Sequence, residues 1–167
     1  ELVYSLYDSG SGTWSEPAAV SDDGTADFYP SFAVSGDRIY IAWQNTKTSL
    51  AEIPEDSVTM DNYTANGEIC TAVFDTQTGT MSEAVILTEN DTLDTMPVLA
   101  DTGDGVQIVW MNNSSNSIFG GEGTNSIWRS IETEDGFGEA EELLADVGAI
   151  HSWDAVYADD TLYIAYA

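Results

Sequence analysis

The alternation of apolar and polar residues is cleanest in PSFAVSGDRIYIAWQN, residues 30–45, and the chain writes that stretch three times. It returns as PVLADTGDGVQIVWMN at 97–112 and, shorter, as DAVYADDTLYIAYA at 154–167. Each copy is a short apolar run, a turn, and a second run of period two. In the second run Ile39, Ile41 and Trp43 point to one face, and Tyr40 and Ala42 to the other. Their counterparts are Val106, Ile108 and Trp110, then Leu162, Ile164 and Tyr166. The turns Ser35-Gly36-Asp37, Thr102-Gly103-Asp104 and Asp159-Asp160 carry hairpin chemistry. The unit is a β-hairpin, and Trp43, Trp110 and Tyr166 are expected to pack in a core.

A second hairpin also repeats. Residues 1–8 alternate and read as a strand, SGSG as a turn, and 13–20 as the returning strand. YDSGSGTWSEPAAV (7–20) becomes FDTQTGTMSEAVIL (74–87) and, one residue tighter at the turn, IETEDGFGEAEELL (131–144). This pairs Tyr7, Phe74 and Ile131, then Trp14, Met81 and Phe137, then Glu16, Glu83 and Glu139. The linkers 21–29, 88–96 and 144–153 are of nearly constant length. The segments 45–66 and 112–125 vary in length and are rich in Asn, Ser, Thr and Gly, so they read as loops.

With the repeated hairpins named A–B (30–45) and C–D (74–87), the chain runs C–D, A–B–C–D, A–B–C–D, A–B. Short strands in this order with Gly/Asp turns describe an all-β protein, a β-propeller of four-stranded antiparallel blades. A β-sandwich is the alternative. The expected layout is a single propeller segment over 1–167: a C–D hairpin at 1–20, blades at 30–87 and 97–143, and an A–B hairpin at 154–167. These are three blade equivalents with both ends in mid-blade, and a closed propeller needs about four to eight. The expected partner is therefore a second copy of the chain, or the remainder of the same protein.

Charge narrows the partners. Thirty acidic residues against three basic ones give a net charge of −27. That balance opposes nucleic acid and anionic membrane, which need Lys and Arg. It fits a secreted or surface protein, salt adaptation, or a cation-binding module. Cys70 is alone and reads as a buried thiol. No apolar run approaches the roughly 20 residues of a membrane helix, so no membrane insertion is expected. The chain opens at Glu1 without Met or leader, so a processed or excised piece is expected.

The C–D hairpins resemble the Asp-box hairpins of sialidase-like (BNR-repeat) propellers, whose pattern is Ser-x-Asp-x-Gly-x-Thr-Trp. Asp8, Gly10, Thr13 and Trp14 carry the resemblance, with Leu6 in place of the Ser and a longer turn. Asp75, Gly79 and Thr80 follow, with Met81 for the Trp, then Glu132, Gly136 and Phe137. The resemblance implies a propeller, with the boxes bracing the face opposite the active site. It does not carry sialidase activity to this chain. Those enzymes clamp a carboxylate with three arginines, and here Arg38 falls at an A–B turn and Arg129 within a C strand.

Propeller topology puts the linkers and the loops 45–66 and 112–125 on one face. Aligned linkers place Asp27, Asp94 and His151 in register, three residues ahead of the inner strand. Such side chains either converge near the axis on a cation or sugar, or cap their own turns. Trp153 beside His151 departs from the Tyr-Pro and Met-Pro of the other copies and is the candidate exposed aromatic. Asp22, Asp23 and Asp27, or Asp101 and Asp104, can offer oxygen ligands to calcium, and otherwise are solvated turn acids. No other cofactor is expected. Gly120-Gly121-Glu122-Gly123 lacks the Lys of a phosphate loop. The reading is a non-catalytic segment of a secreted or cell-surface protein that binds glycan or protein through the loop-bearing face. The alternatives are a piece of a sialidase-like or other glycoside hydrolase with catalytic residues on other blades, and a structural spacer.

Overall fold

A computed structural model describes residues 1–118 and 124–167 and shows an all-β protein. The Gly-rich run 120–123 lies outside the described residues. The first unit holds β1 (Leu2–Tyr4), β2 (Tyr7–Asp8), β3 (Thr13–Trp14) and β4 (Ala18–Ser21). The first full sheet is β5 (Asp27–Ser35), β6 (Arg38–Asn45), β7 (Glu68–Asp75), β8 (Thr80–Met81) and β9 (Val85–Ile86). The second is β10 (Leu93–Asp101), β11 (Val106–Asn113), β12 (Asn125–Thr133), β13 (Gly136–Phe137) and β14 (Glu141–Leu144). β15 (Trp153–Ala158) and β16 (Thr161–Tyr166) form a terminal hairpin. Each full sheet is an antiparallel meander whose outermost strand is broken in two, β8 with β9 and β13 with β14.

The sheets stack in chain order, with β5, β10 and β15 side by side. Three apolar layers fill the spaces. Ile41, Trp43, Cys70 and Ala72 meet Leu2, Tyr4 and Val20 of the first unit. Tyr40, Ala42 and Ile69 meet Leu99, Ile108, Trp110 and Phe137 across the two full sheets. Val109, Met111 and Ile127 meet Leu162 and Ile164 of the last hairpin. The period-two alternation of the B strands thus divides each one between two layers, as expected from the pattern. Trp43 and Trp110 are 0% and 2% exposed. Tyr166, the third residue of that set, is exposed. Trp43 is flanked by Cys70 and Trp110 by Trp128, whereas Tyr166 is flanked by Trp153 alone.

Three expectations need correction. The strands read at 1–8 and 13–20 are each broken, because a serine takes over a ladder position. Ser15 Oγ accepts the Leu6 N–H (2.9 Å) and donates to the Glu16 carbonyl (3.0 Å). Ser82 repeats this with Val73 and Glu83 (3.0 Å each). Next, the third C–D hairpin is shifted by one residue. Tyr7 pairs with Trp14 and Phe74 with Met81, but Phe137 pairs with Glu132, so Glu132 and not Ile131 fills the equivalent position. The turn is two residues shorter than the others rather than one, and a single-residue slip exchanges the faces. Thr133 then takes the box position, donating to the Gly136 carbonyl (2.7 Å). Finally, segment 45–66 is not loop throughout, since α1 (Met60–Thr64) forms there with Thr59 capping the Asn62 N–H (3.1 Å).

The Asp-box positions brace their own turns. Asp8 accepts from Gly10 N (2.7 Å) and Asp75 from Gln77 N and Thr78 N (2.8 and 2.9 Å). These backbone donors hold both carboxyls below their ordinary range. Glu132 instead reaches the neighbouring sheet, where it accepts from the Tyr40 hydroxyl and lies 3.8 Å from Arg38.

Candidate functional site

β5 and β10 begin with the same device. A Tyr29-Pro30 or Met96-Pro97 step interrupts the pairing with the B strand, and Tyr29 and Met96 both adopt φ 52. The left-handed residue and the proline open the ladder, turning the strand start away from its partner. Upstream of each step lies a repeated polar cluster. Asp94, buried, accepts from Trp110 Nε1 and Asn112 Nδ2 at Oδ1 (2.8 Å each) and from Asn90 Nδ2 at Oδ2 (2.6 Å). Burial pushes its carboxyl above the ordinary value, and the donors pull against that rise.

Asp27 occupies the equivalent place with fewer partners. Its Oδ1 accepts from Asn45 Nδ2 (3.0 Å), while Oδ2 takes no hydrogen bond and lies 3.5 Å from the Glu1 amino group. Asn45 also donates to Asp23 Oδ2 and Thr25 Oγ1 (3.0 and 2.7 Å). Burial works to raise the Asp23 carboxyl, but donors from Thr25 and Asn45 outweigh it and hold it below the ordinary value. Asp27 and Asp94 therefore tie each linker to the end of its own B strand. Asp22 is exposed, and Asp101 and Asp104 sit at the opposite A–B turn, where Asp101 accepts from Gly103 N (3.0 Å). Among the described residues no group of three or more His, Cys, Asp or Glu side chains is placed to hold a metal ion.

His151 and Trp153 lie elsewhere from the two aspartates. Residues 29–31, 96–98 and 151–154, the starts of three successive inner strands, surround one open cleft of about 400 Å³. His151 is exposed, and its backbone N–H is held by the Ala167 carbonyl (2.8 Å). Trp153 is half-buried against the layer around Ile150, and its indole N–H is buried without an acceptor. Tyr29, also in the lining, is exposed. Asp154 brings the one carboxylate of the lining and accepts its neighbour's N–H from Ala155 (2.9 Å). Of the residues around this cleft, the sequence reading named His151 and Trp153 and did not name Tyr29 and Met96. The signal was present in the repeated aromatic-or-Met-Pro step.

The two long loops are tied to each other and to the linker before β10. Asn66 N–H donates to Asn116 Oδ1 (2.7 Å), Ile118 N–H to Asp61 Oδ1 (3.2 Å), and Asn116 Nδ2 to the Asp91 carbonyl (3.0 Å). The Gly turns lie at the other end, where Gln77 beside Gly79 donates to Asp37 of the A–B turn (2.6 Å). All three basic side chains are paired: Lys47 with Glu68, Arg38 with Glu132, and Arg129 with Glu141. None lines the cleft, so an anionic ligand would meet uncompensated negative charge. A comparison with known protein families and with curated proteins finds no match to this chain.

Proposed function

We propose that this chain is an arc of a β-propeller in a secreted or cell-surface protein, and that it binds an uncharged glycan in the cleft at the inner strand starts. The observation that carries the reading is the cleft itself, walled by equivalent positions of three repeats, with Tyr29 and Trp153 as aromatic faces. Sugar rings present apolar C–H faces that stack on such rings, and hydroxyls that pair with imidazole and carboxylate groups. The negative field of the chain favours neutral over acidic saccharides. The cleft offers one carboxylate, whereas glycoside hydrolysis ordinarily uses two facing each other across the bond. The reading is therefore one of binding without catalysis.

Titration with neutral oligosaccharides, followed by calorimetry, tests this. Tyr29→Ala removes an exposed ring and is expected to weaken binding about tenfold, near 1.4 kcal/mol, with thermal stability unchanged. Trp153→Ala should weaken it at least as much. Release of shorter sugars during the titration would favour the hydrolase reading. Saccharide affinity that ignores both substitutions would remove the cleft from consideration.

A further inference from the structure

Successive junctions in the stack are not packed alike. Where the first unit meets the first full sheet, Tyr4 lies against Phe74 with ring centroids 5.6 Å apart, and Phe74 is buried. One repeat further on, Thr71 holds the position of Tyr4, since it pairs with Val85 as Tyr4 pairs with Ala18. Glu132 holds the position of Phe74, pairing with Phe137 as Phe74 pairs with Met81. A hydroxyl and a carboxylate thus replace two packed rings, and the space those rings would fill stays open. A cavity of about 340 Å³ lies there, between the two full sheets. It shares no lining residue with the cleft at the inner strand starts.

Val73, Leu87 and Phe137 give this cavity an apolar wall, and the Tyr40 ring meets Phe137 edge-on beside them. Among the described residues that line it, Glu132, Glu134 and Asp135 face a single basic residue, Arg38. Three carboxylates against one guanidinium leave the lining with a net charge of −2. Arg38 offsets little of it, being 62% exposed and 3.8 Å from Glu132. Glu132 is fixed in place, because it accepts the Tyr40 hydroxyl at one oxygen and the Val106 N–H at the other (3.2 Å). We propose that the cavity binds a small arylalkyl ammonium compound. Its apolar body takes the space that the Tyr4–Phe74 pair fills one repeat earlier, and its cationic end lies toward Glu132. Carboxylates pair strongly with ammonium groups, and the faces of aromatic rings attract cations. An apolar lining with a few fixed polar groups is the usual make-up of a small-molecule site. The field of a chain carrying −27 adds to the attraction.

Phenethylammonium, phenethyl alcohol and phenylacetate share one apolar body and differ in charge, so titrating each in turn separates charge from shape. Followed by amide NMR, phenethylammonium should saturate and shift the signals of Thr71, Val73 and Gly136, which line the cavity. The alcohol should bind roughly tenfold more weakly, and phenylacetate should not bind. Glu132→Gln keeps the shape of the side chain; it should weaken the ammonium about tenfold and leave the alcohol unchanged. Thr71→Tyr returns the ring found at Tyr4 and should abolish binding of both. Glu134→Gln combined with Asp135→Asn changes two exposed turn residues, so the fold is kept whatever Thr71→Tyr does to it. That pair should weaken the ammonium severalfold with thermal stability unchanged. Equal affinity for the ammonium and the alcohol, tighter binding of phenylacetate, or a response that never saturates would overturn the proposal. So would ammonium binding indifferent to Glu132→Gln and to the turn substitutions.

Discussion

Trp110→Ala is expected to lower the unfolding free energy by about 3–5 kcal/mol, the usual cost of truncating a buried large aromatic. The indole fills the layer between the two full sheets and is 2% exposed. Trp43→Ala should fall in the same range, since Trp43 fills the preceding layer. The phenylalanine variants separate packing from hydrogen bonding. Trp110 donates to Asp94, whereas the Trp43 indole N–H is buried without a partner. Trp110→Phe leaves a buried carboxylate short of a donor and should cost about 1–3 kcal/mol more than Trp43→Phe. Urea midpoints at constant slope measure both. Equal costs for the two phenylalanine variants would show that the Asp94 bond contributes nothing.

Asp94→Ala should be nearly as damaging, at about 3 kcal/mol or more. It strands the Trp110 indole N–H in the interior and takes an acceptor from the half-buried Asn112 and from Asn90. Asp27→Ala should cost clearly less, because Asn45 keeps Asp23 and Thr25 as acceptors. The sign of the pH effect is fixed by the raised carboxyls. Burial lifts Asp94 above 3.8 and, with Lys47, Thr88 and Asn90 pulling against it, lifts Glu68 above 4.5. Each group binds its proton more tightly folded than unfolded. Their contribution is fully present below the unfolded values and is lost as pH rises through the folded ones. Stability should therefore increase as pH falls from neutrality toward the folded values, helped by relief of net negative charge. Asp94→Asn should flatten that profile. A profile indifferent to Asp94→Asn would mean that Asp94 ionises as freely folded as unfolded.

The repeated hairpins, the faces of the B strands and the burial of Trp43 and Trp110 were legible because each rests on local facts. Period-two alternation assigns a face, Gly/Asp turns close a hairpin, and recurrence at constant spacing says that each hairpin has a neighbour to pack on. The same reasoning placed Asp27, Asp94 and His151 together, since they share a register position in the linkers. Tertiary structure separated them. Whether an acid faces a cleft or an interior is decided by the donors that other strands bring to it, and Trp110 and Asn112 draw Asp94 inward. At the third repeat Tyr166 stands where Trp110 does, so no indole N–H is offered from that position toward His151. The third C–D register escaped in the same way. A shorter turn leaves two pairings compatible with the pattern, and the choice between Ile131 and Glu132 falls to what waits across the gap. Tyr40 and Arg38 wait there, and they are matched by a carboxylate rather than a methyl-bearing chain.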